Sequence, residues 1–145
     1  MPSPFPVLII EDDPIIGRAL CRALERAQQE YECVGSCADA SQLSGPYSAA
    51  IIDIHLPDGS GLDLYEDLYA YHVLGPVVFF SATPDAHEQD RARSLGVLIH
   101  KEAGVEAAVD AALRVALDYE VPESSTRAST PDLPCATNVD SKKRK

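Results

Sequence analysis

Short, unbroken apolar runs alternate along this chain with longer stretches whose apolar residues recur at helical spacing. Phe5-Pro6-Val7-Leu8-Ile9-Ile10, Ala50-Ile51-Ile52, Val77-Val78-Phe79-Phe80 and Val97-Leu98-Ile99 are the unbroken runs, each bounded by turn or charged residues. Runs of that length without polar alternation predict strands buried on both faces, as in a parallel sheet. Tyr31 to Cys37 predicts a further strand. Between the runs, Ile15, Ile16, Ala19, Leu20, Ala23 and Leu24 recur with Arg18, Arg22, Glu25 and Arg26 among them, which predicts a helix from Ile15 to about Gln29. A short helix is expected over Ala38 to Leu43, before the Gly45-Pro46 break. Leu62 to Tyr71 reads as a helix with Leu62, Tyr65, Leu68 and Tyr69 inward, ended by Gly75-Pro76. Asp85 to Leu95 reads as a polar helix, the least buried of the set. Val105 to about Tyr119 closes the pattern, with Val105, Ala108, Ala112, Val115 and Ala116 inward. Strands alternating with helices imply right-handed βαβ units, an α/β fold and a parallel sheet.

The chain has 145 residues, 46% of them hydrophobic and 24% charged, enough for one domain with a core. No apolar run reaches the length of a membrane span. Met1-Pro2-Ser3-Pro4 lacks the basic start and apolar middle of a signal peptide, so the expected compartment is the cytoplasm. Cys21, Cys33, Cys37 and Cys135 form no C-x-x-C pair, and Cys33 with Cys37 is expected to be two small buried residues on one strand rather than half a metal site. The net charge of −11 disfavours nucleic acid as a partner of the folded part. From Pro122 onward five basic residues face three acidic ones, which leaves −13 on the first 121 residues. That terminal stretch has three prolines, seven Ser or Thr, no aromatic and one Leu. It cannot bury enough apolar surface to offset ordering entropy, so residues 1–121 are expected to fold and 122–145 to form a disordered tail.

The polar residues that interrupt this pattern fall at strand ends. Glu11 and Asp12 follow the first run, Asp53 the third strand, Ser81 the fourth and Lys101 the fifth. In a doubly wound, flavodoxin-like sheet of five strands in order 2-1-3-4-5, with about five helices, strands one and three adjoin at the topological switch point, where such sheets bind ligands. Three carboxylates then share one crevice and raise each other's pKa unless a cation intervenes. Oxygen-only ligands at low count favour Mg²⁺, which keeps several waters and shares its shell with phosphate. Lys101 adds a movable positive charge and Ser81 a hydroxyl, a set suited to holding a phosphoryl group. Taken singly, each residue has a plainer role. Asp13 suits a helix cap, Glu11 and Asp12 a helix N-terminus, Lys101 a solvated strand end and Ser81 a cap. Their joint placement at successive strand ends favours the functional reading.

With these residues in place, the chain resembles the receiver domain of bacterial two-component response regulators over about residues 5 to 120. The matching pieces are Leu8-Ile9-Ile10-Glu11-Asp12-Asp13-Pro14, Ile51-Ile52-Asp53-Ile54-His55-Leu56-Pro57-Asp58-Gly59-Ser60-Gly61, Phe79-Phe80-Ser81-Ala82 and Ile99-His100-Lys101. The resemblance implies Asp53 as phosphoacceptor, Asp12 as a direct Mg²⁺ ligand and Glu11 as a ligand through water. It implies the His55 backbone carbonyl as a further ligand, Ser81 as the sensor of the phosphoryl oxygens and Lys101 as their partner. Three positions depart from the family pattern: Glu102 where proline usually follows the lysine, Leu98 where an aromatic residue often precedes it, and Thr83 where many members carry an acidic or amide side chain. With no proline, the Lys101–Glu102 bond is expected to be trans.

The reading that follows is a single-domain response regulator and not an enzyme. A sensor histidine kinase or phosphotransfer protein would phosphorylate Asp53. The face made by the fourth helix, fifth strand and last helix would then change its affinity for a downstream protein, with no nucleic acid or membrane involved. A phosphate sink is a variant of this reading. A receiver-fold module that signals without phosphorylation is the first rival, and the intact acceptor set argues against it. A Mg²⁺-dependent aspartyl-phosphate phosphohydrolase is the second. Such enzymes typically place a second Asp two residues after the nucleophile, where this chain has His55.

Overall fold

The computed structural model describes residues 3–71, 73–119 and 121. The expected tail over residues 122–145 lies outside them. The element order is β1 (Val7–Ile10), α1 (Pro14–Arg26), β2 (Tyr31–Val34), α2 (Cys37–Ala40), β3 (Ala49–Ile52), β4 (His55–Leu56), β5 (Gly59–Ser60), α3 (Gly61–Ala70), β6 (Val77–Ser81), α4 (Ala86–Leu95), β7 (Val97–His100) and α5 (Val105–Asp118), with a 3₁₀ turn over Lys101–Ala103. Five strands form one sheet in the order β2-β1-β3-β6-β7, all neighbours parallel. Numbered within that sheet alone, the order is the expected 2-1-3-4-5. β4 and β5 form a small antiparallel pair around the Pro57-Asp58 turn.

Successive side chains of a strand face opposite ways, so each apolar run supplies two cores. Leu8, Ile10, Ala50, Ile52, Val77 and Phe79 face α3 and α4 and pack with Leu62, Tyr65, Leu68 and Ala92. Val7, Ile9, Ala49, Ile51, Val78 and Phe80 face α1 and α5 and pack with Leu20, Leu24, Ala108, Ala112 and Ala116. Leu20 and Leu24 are fully buried, each worth about 2 kcal/mol of apolar transfer. α1 begins where Asp13 accepts from the Ile15 and Ile16 N–H groups, with Pro14 at its first position.

Several details differ from the periodicity reading. β2 stops at Val34 rather than running to Cys37, because the Ser36 hydroxyl accepts the Asp39 N–H and starts α2. Asp58 reinforces that start by accepting from the Cys37 and Ala38 N–H groups at 2.8 and 2.9 Å. Cys33 and Cys37 are therefore not two buried residues of one strand: Cys33 is exposed on β2 and Cys37 half-buried on α2. Ile15 is 73% exposed and Tyr69 58%, so neither joins the core. Both lie at the margin of an apolar stripe whose inner positions already fill the space. As expected, α4 is the polar helix, with Ala92 its one buried residue. No described helix is long and apolar enough to cross a membrane.

Candidate functional site

The ladder of the sheet fixes the two central carboxylates. The Glu11 N–H donates to the Val34 carbonyl and the Asp53 N–H to the Ile10 carbonyl, both at 3.0 Å. Each acidic residue thus extends its strand by one hydrogen bond, and its side chain opens beyond the carboxyl edge. Gly61 lets the chain turn back there. Its N–H donates to the Ile54 carbonyl at 2.7 Å, and a Cβ on it would lie 2.1 Å from the Asp53 carbonyl oxygen. Any side chain at Gly61 would displace the backbone that carries Asp53.

Glu11 and Asp53 are buried, at 5% and 7% exposure. The Lys101 ammonium lies between them, 3.1 Å from Asp53 Oδ2 and 3.2 Å from Glu11 Oε1. One oxygen each from Glu11, Asp12 and Asp53 falls within 4.8 Å of the other two. Asp12 is exposed, and its carboxylate takes no hydrogen bond or ion pair from any described residue. Burial first, then the charge of Asp53, pushes the Glu11 carboxyl up to about 7, against the opposing pull of Lys101 and the Asp13 N–H. Burial pulls the Lys101 ammonium down, but its hydrogen bond to Asp53 and the charges of Asp53 and Glu11 outweigh it and hold the group above its ordinary value. One ammonium against three carboxylates leaves the crevice short of positive charge. A hard divalent cation held by oxygens fits that deficit.

Of the other expected residues, His55 touches this cluster through its backbone and Ser81 is bonded to the loop after β6. Ser81 ends β6 at 2% exposure, and its hydroxyl oxygen accepts the Thr83 N–H at 3.2 Å. The His55 N–H donates to Asp53 Oδ1 at 3.3 Å, while its ring Nε2 lies 2.9 and 3.0 Å from the two carboxylate oxygens of Glu88. The Thr83 hydroxyl also donates to Glu88. Glu88 therefore joins the loop after Asp53 to the loop after Ser81, a residue that periodicity does not single out. Its signal is Asp85-Ala86-His87-Glu88, the spacing of a capping box. Asp85 caps α4 through the His87 and Glu88 N–H groups. Thr83 Oγ1 takes the Asp85 N–H, which leaves Glu88 free to reach His55. At the departures from the family pattern, the Lys101–Glu102 bond is trans, since among the described residues Gly45–Pro46 alone is cis. Leu98 packs on the α3/α4 core.

The family model of the response regulator receiver domain matches residues 7–112. The swarming motility regulation protein RssB of Serratia marcescens is 37% identical over 94 residues, covering 61% of this chain and 39% of that protein. The transcriptional regulatory protein KdpE of Mycobacterium tuberculosis is 30% identical over 139 residues, covering 88% of this chain and 60% of that protein. The chain thus spans less than two thirds of the length of these relatives. Among solved structures, the non-phosphorylated HemR receiver domain from Leptospira biflexa superposes with a TM-score of 0.70 at 28% identity, over 81% of this chain and 97% of that one.

Proposed function

Because this chain belongs to the response regulator receiver-domain family, we propose that Asp53 accepts a phosphoryl group from a phosphohistidine on a sensor kinase or phosphotransfer protein. The observation that carries the proposal is the position of the Asp53 carboxylate, buried beside the Lys101 ammonium with Glu11 and Asp12 in reach. An Asp53 oxygen attacks the phosphorus, the phosphorus–nitrogen bond breaks, and the departing imidazole keeps its electron pair. Lys101 follows the charge from the carboxylate to the new phosphoryl oxygens. Asp12, Asp53 and the His55 backbone carbonyl are assigned as direct holders of Mg²⁺, with Glu11 acting through water. When bound, that ion supplies charge neutralisation for the incoming phosphoryl group. Asp12, exposed and without a partner among the described residues, supports its role as a direct ligand, and the Lys101-paired Glu11 supports an indirect one.

The acyl phosphate adds charge and acceptor oxygens where Ser81 and Lys101 can bind them. Ser81 would then donate its hydroxyl proton to a phosphoryl oxygen, moving the loop that leads into α4. We assign the readout to the face of α4, β7 and α5, which a downstream protein would contact, and the acceptor unit to residues 1–121. The compartment assigned is the cytoplasm, in keeping with three free described cysteines. The test is phosphotransfer from radiolabelled sensor kinases of the source organism to the wild-type chain and to Asp53→Asn. Transfer to the wild type alone supports the assignment. Equal labelling of both proteins refutes it.

A further inference from the structure

Away from the acceptor crevice, two thiols meet between α1 and the edge strand β2. Cys33 pairs in register with Ile9 and, by strand alternation, shares the α1/α5 side of the sheet with Tyr31. Its Sγ lies 3.8 Å from where a Cβ on Gly17 would sit, so the sulfur rests directly under α1. Cys21 is one helical turn beyond Gly17 on the same face and packs on the same core as Tyr31. The Cys21 and Cys33 side chains therefore lie within interaction range of one another. Cys33 is exposed and Cys21 half-buried, so small solutes reach the pair. The third described cysteine lies elsewhere: from α2, the Cys37 Sγ faces Gly59 of β5, with Asp58 beside it.

We infer that Cys21 and Cys33 are a peroxide-responsive pair that closes to a disulfide, tying α1 to β2. The neighbouring Cys33 side chain, more than any other group, pulls the Cys21 thiol down to about 7, against burial and the charge of Glu25. The Cys21 side chain, with burial of the sulfur and the charge of Glu11, pushes the Cys33 thiol up. At neutral pH Cys21 is thus the member of the pair that more readily carries thiolate. Cys37 is pushed the other way, by burial and then by Asp58. The Cys21 thiolate attacks one peroxide oxygen, the oxygen–oxygen bond breaks, and the other oxygen leaves as water after taking a proton. The Cys33 sulfur then attacks the sulfenic sulfur, and its proton leaves with the hydroxyl as a second water. Two thiols and one hydrogen peroxide give one disulfide and two waters.

The test uses the full chain, reduced, exposed to hydrogen peroxide at pH 7, alkylated and mapped by mass spectrometry. A Cys21–Cys33 linked peptide, lighter by two hydrogens and reversed by dithiothreitol, is the expected product. Dimedone should label Cys21 in Cys33→Ser but not Cys33 in Cys21→Ser. The pH midpoint of Cys21 alkylation should rise in Cys33→Ala, which leaves no donor at that position. Linkage of Cys33 to Cys37, linkage of either residue to Cys135, or a wild-type chain that keeps Cys21 and Cys33 reduced would overturn the inference. The wild-type mapping decides the matter even if a serine variant folds poorly.

Discussion

The two halves of the crevice are built on opposite terms. At the ends of β1, β3 and β7, the Glu11, Asp53 and Lys101 side chains are only 2%, 9% and 20% exposed and are bound to one another. Beyond β6, the link between Glu88 and His55 involves side chains 30% and 61% exposed. Charges drawn out of water interact strongly and are costly to leave unpaired. Pairs in solvent are screened and contribute little. The half proposed to accept a phosphoryl group is therefore held in place by buried ion pairs. In the half assigned to response, the His55–Glu88 link is exposed and cheap to exchange. A switch needs this asymmetry, because a ligand shifts an equilibrium only by its differential affinity for the two states.

The largest expected effect follows from removing the shared cation. Lys101→Ala should slow labelling of Asp53 by a small phosphodonor on the order of 100-fold, and Glu88→Gln should leave that rate within a few-fold of wild type. A Lys101→Ala rate within twofold of wild type would erase the contrast between the halves. Next comes metal affinity, read by Mg²⁺ titration. Asp12→Ala should weaken binding by about tenfold or more, Glu11→Ala by less, because losing a direct ligand costs more than losing one that acts through water. The reverse order would exchange the two roles.

Acidity gives a third effect. The Glu11 carboxyl sits at about 7 in the folded protein against an ordinary 4.5, from burial and then the charge of Asp53. Between those values the folded protein holds a proton that the unfolded chain has released. In the metal-free protein the contribution of this group should thus be full below about pH 4.5 and be lost as pH rises to 7, by about 1–3 kcal/mol. Denaturant midpoints of wild type and Glu11→Gln should diverge across that window, with the glutamine variant falling less. Parallel curves would mean that the crevice does not strain Glu11. The smallest effect belongs to the exposed link. Glu88→Gln should cost no more than about 1 kcal/mol by chemical denaturation, and a larger loss would show that the responsive half is as tightly held as the other.

The strands, their order and the convergence of Glu11, Asp12, Asp53 and Lys101 were legible in the chain because each rests on a strong local signal. Unbroken apolar runs mark strands buried on both faces, and a carboxylate or lysine that ends such a run must emerge at the edge of the sheet. The end of β2 was harder to read, since Gly35-Ser36 is a turn only once Asp58, distant in sequence, caps α2. Glu88 was hidden for a similar reason. Its capping-box position is local, but its partners His55 and Thr83 are set by tertiary packing. Ile15 and Tyr69 fit the helical stripe yet stay in solvent, because periodicity gives a direction and not the width of the surface that covers it.

The account stands most directly on the identity of the acceptor. The chain, incubated with acetyl phosphate and Mg²⁺, can be reduced with borohydride, digested and mapped by mass spectrometry. One modified residue is expected, Asp53, with no label in Asp53→Asn. Modification of Asp12 or Asp13 in the wild-type protein, or undiminished labelling of the variant, would contradict it.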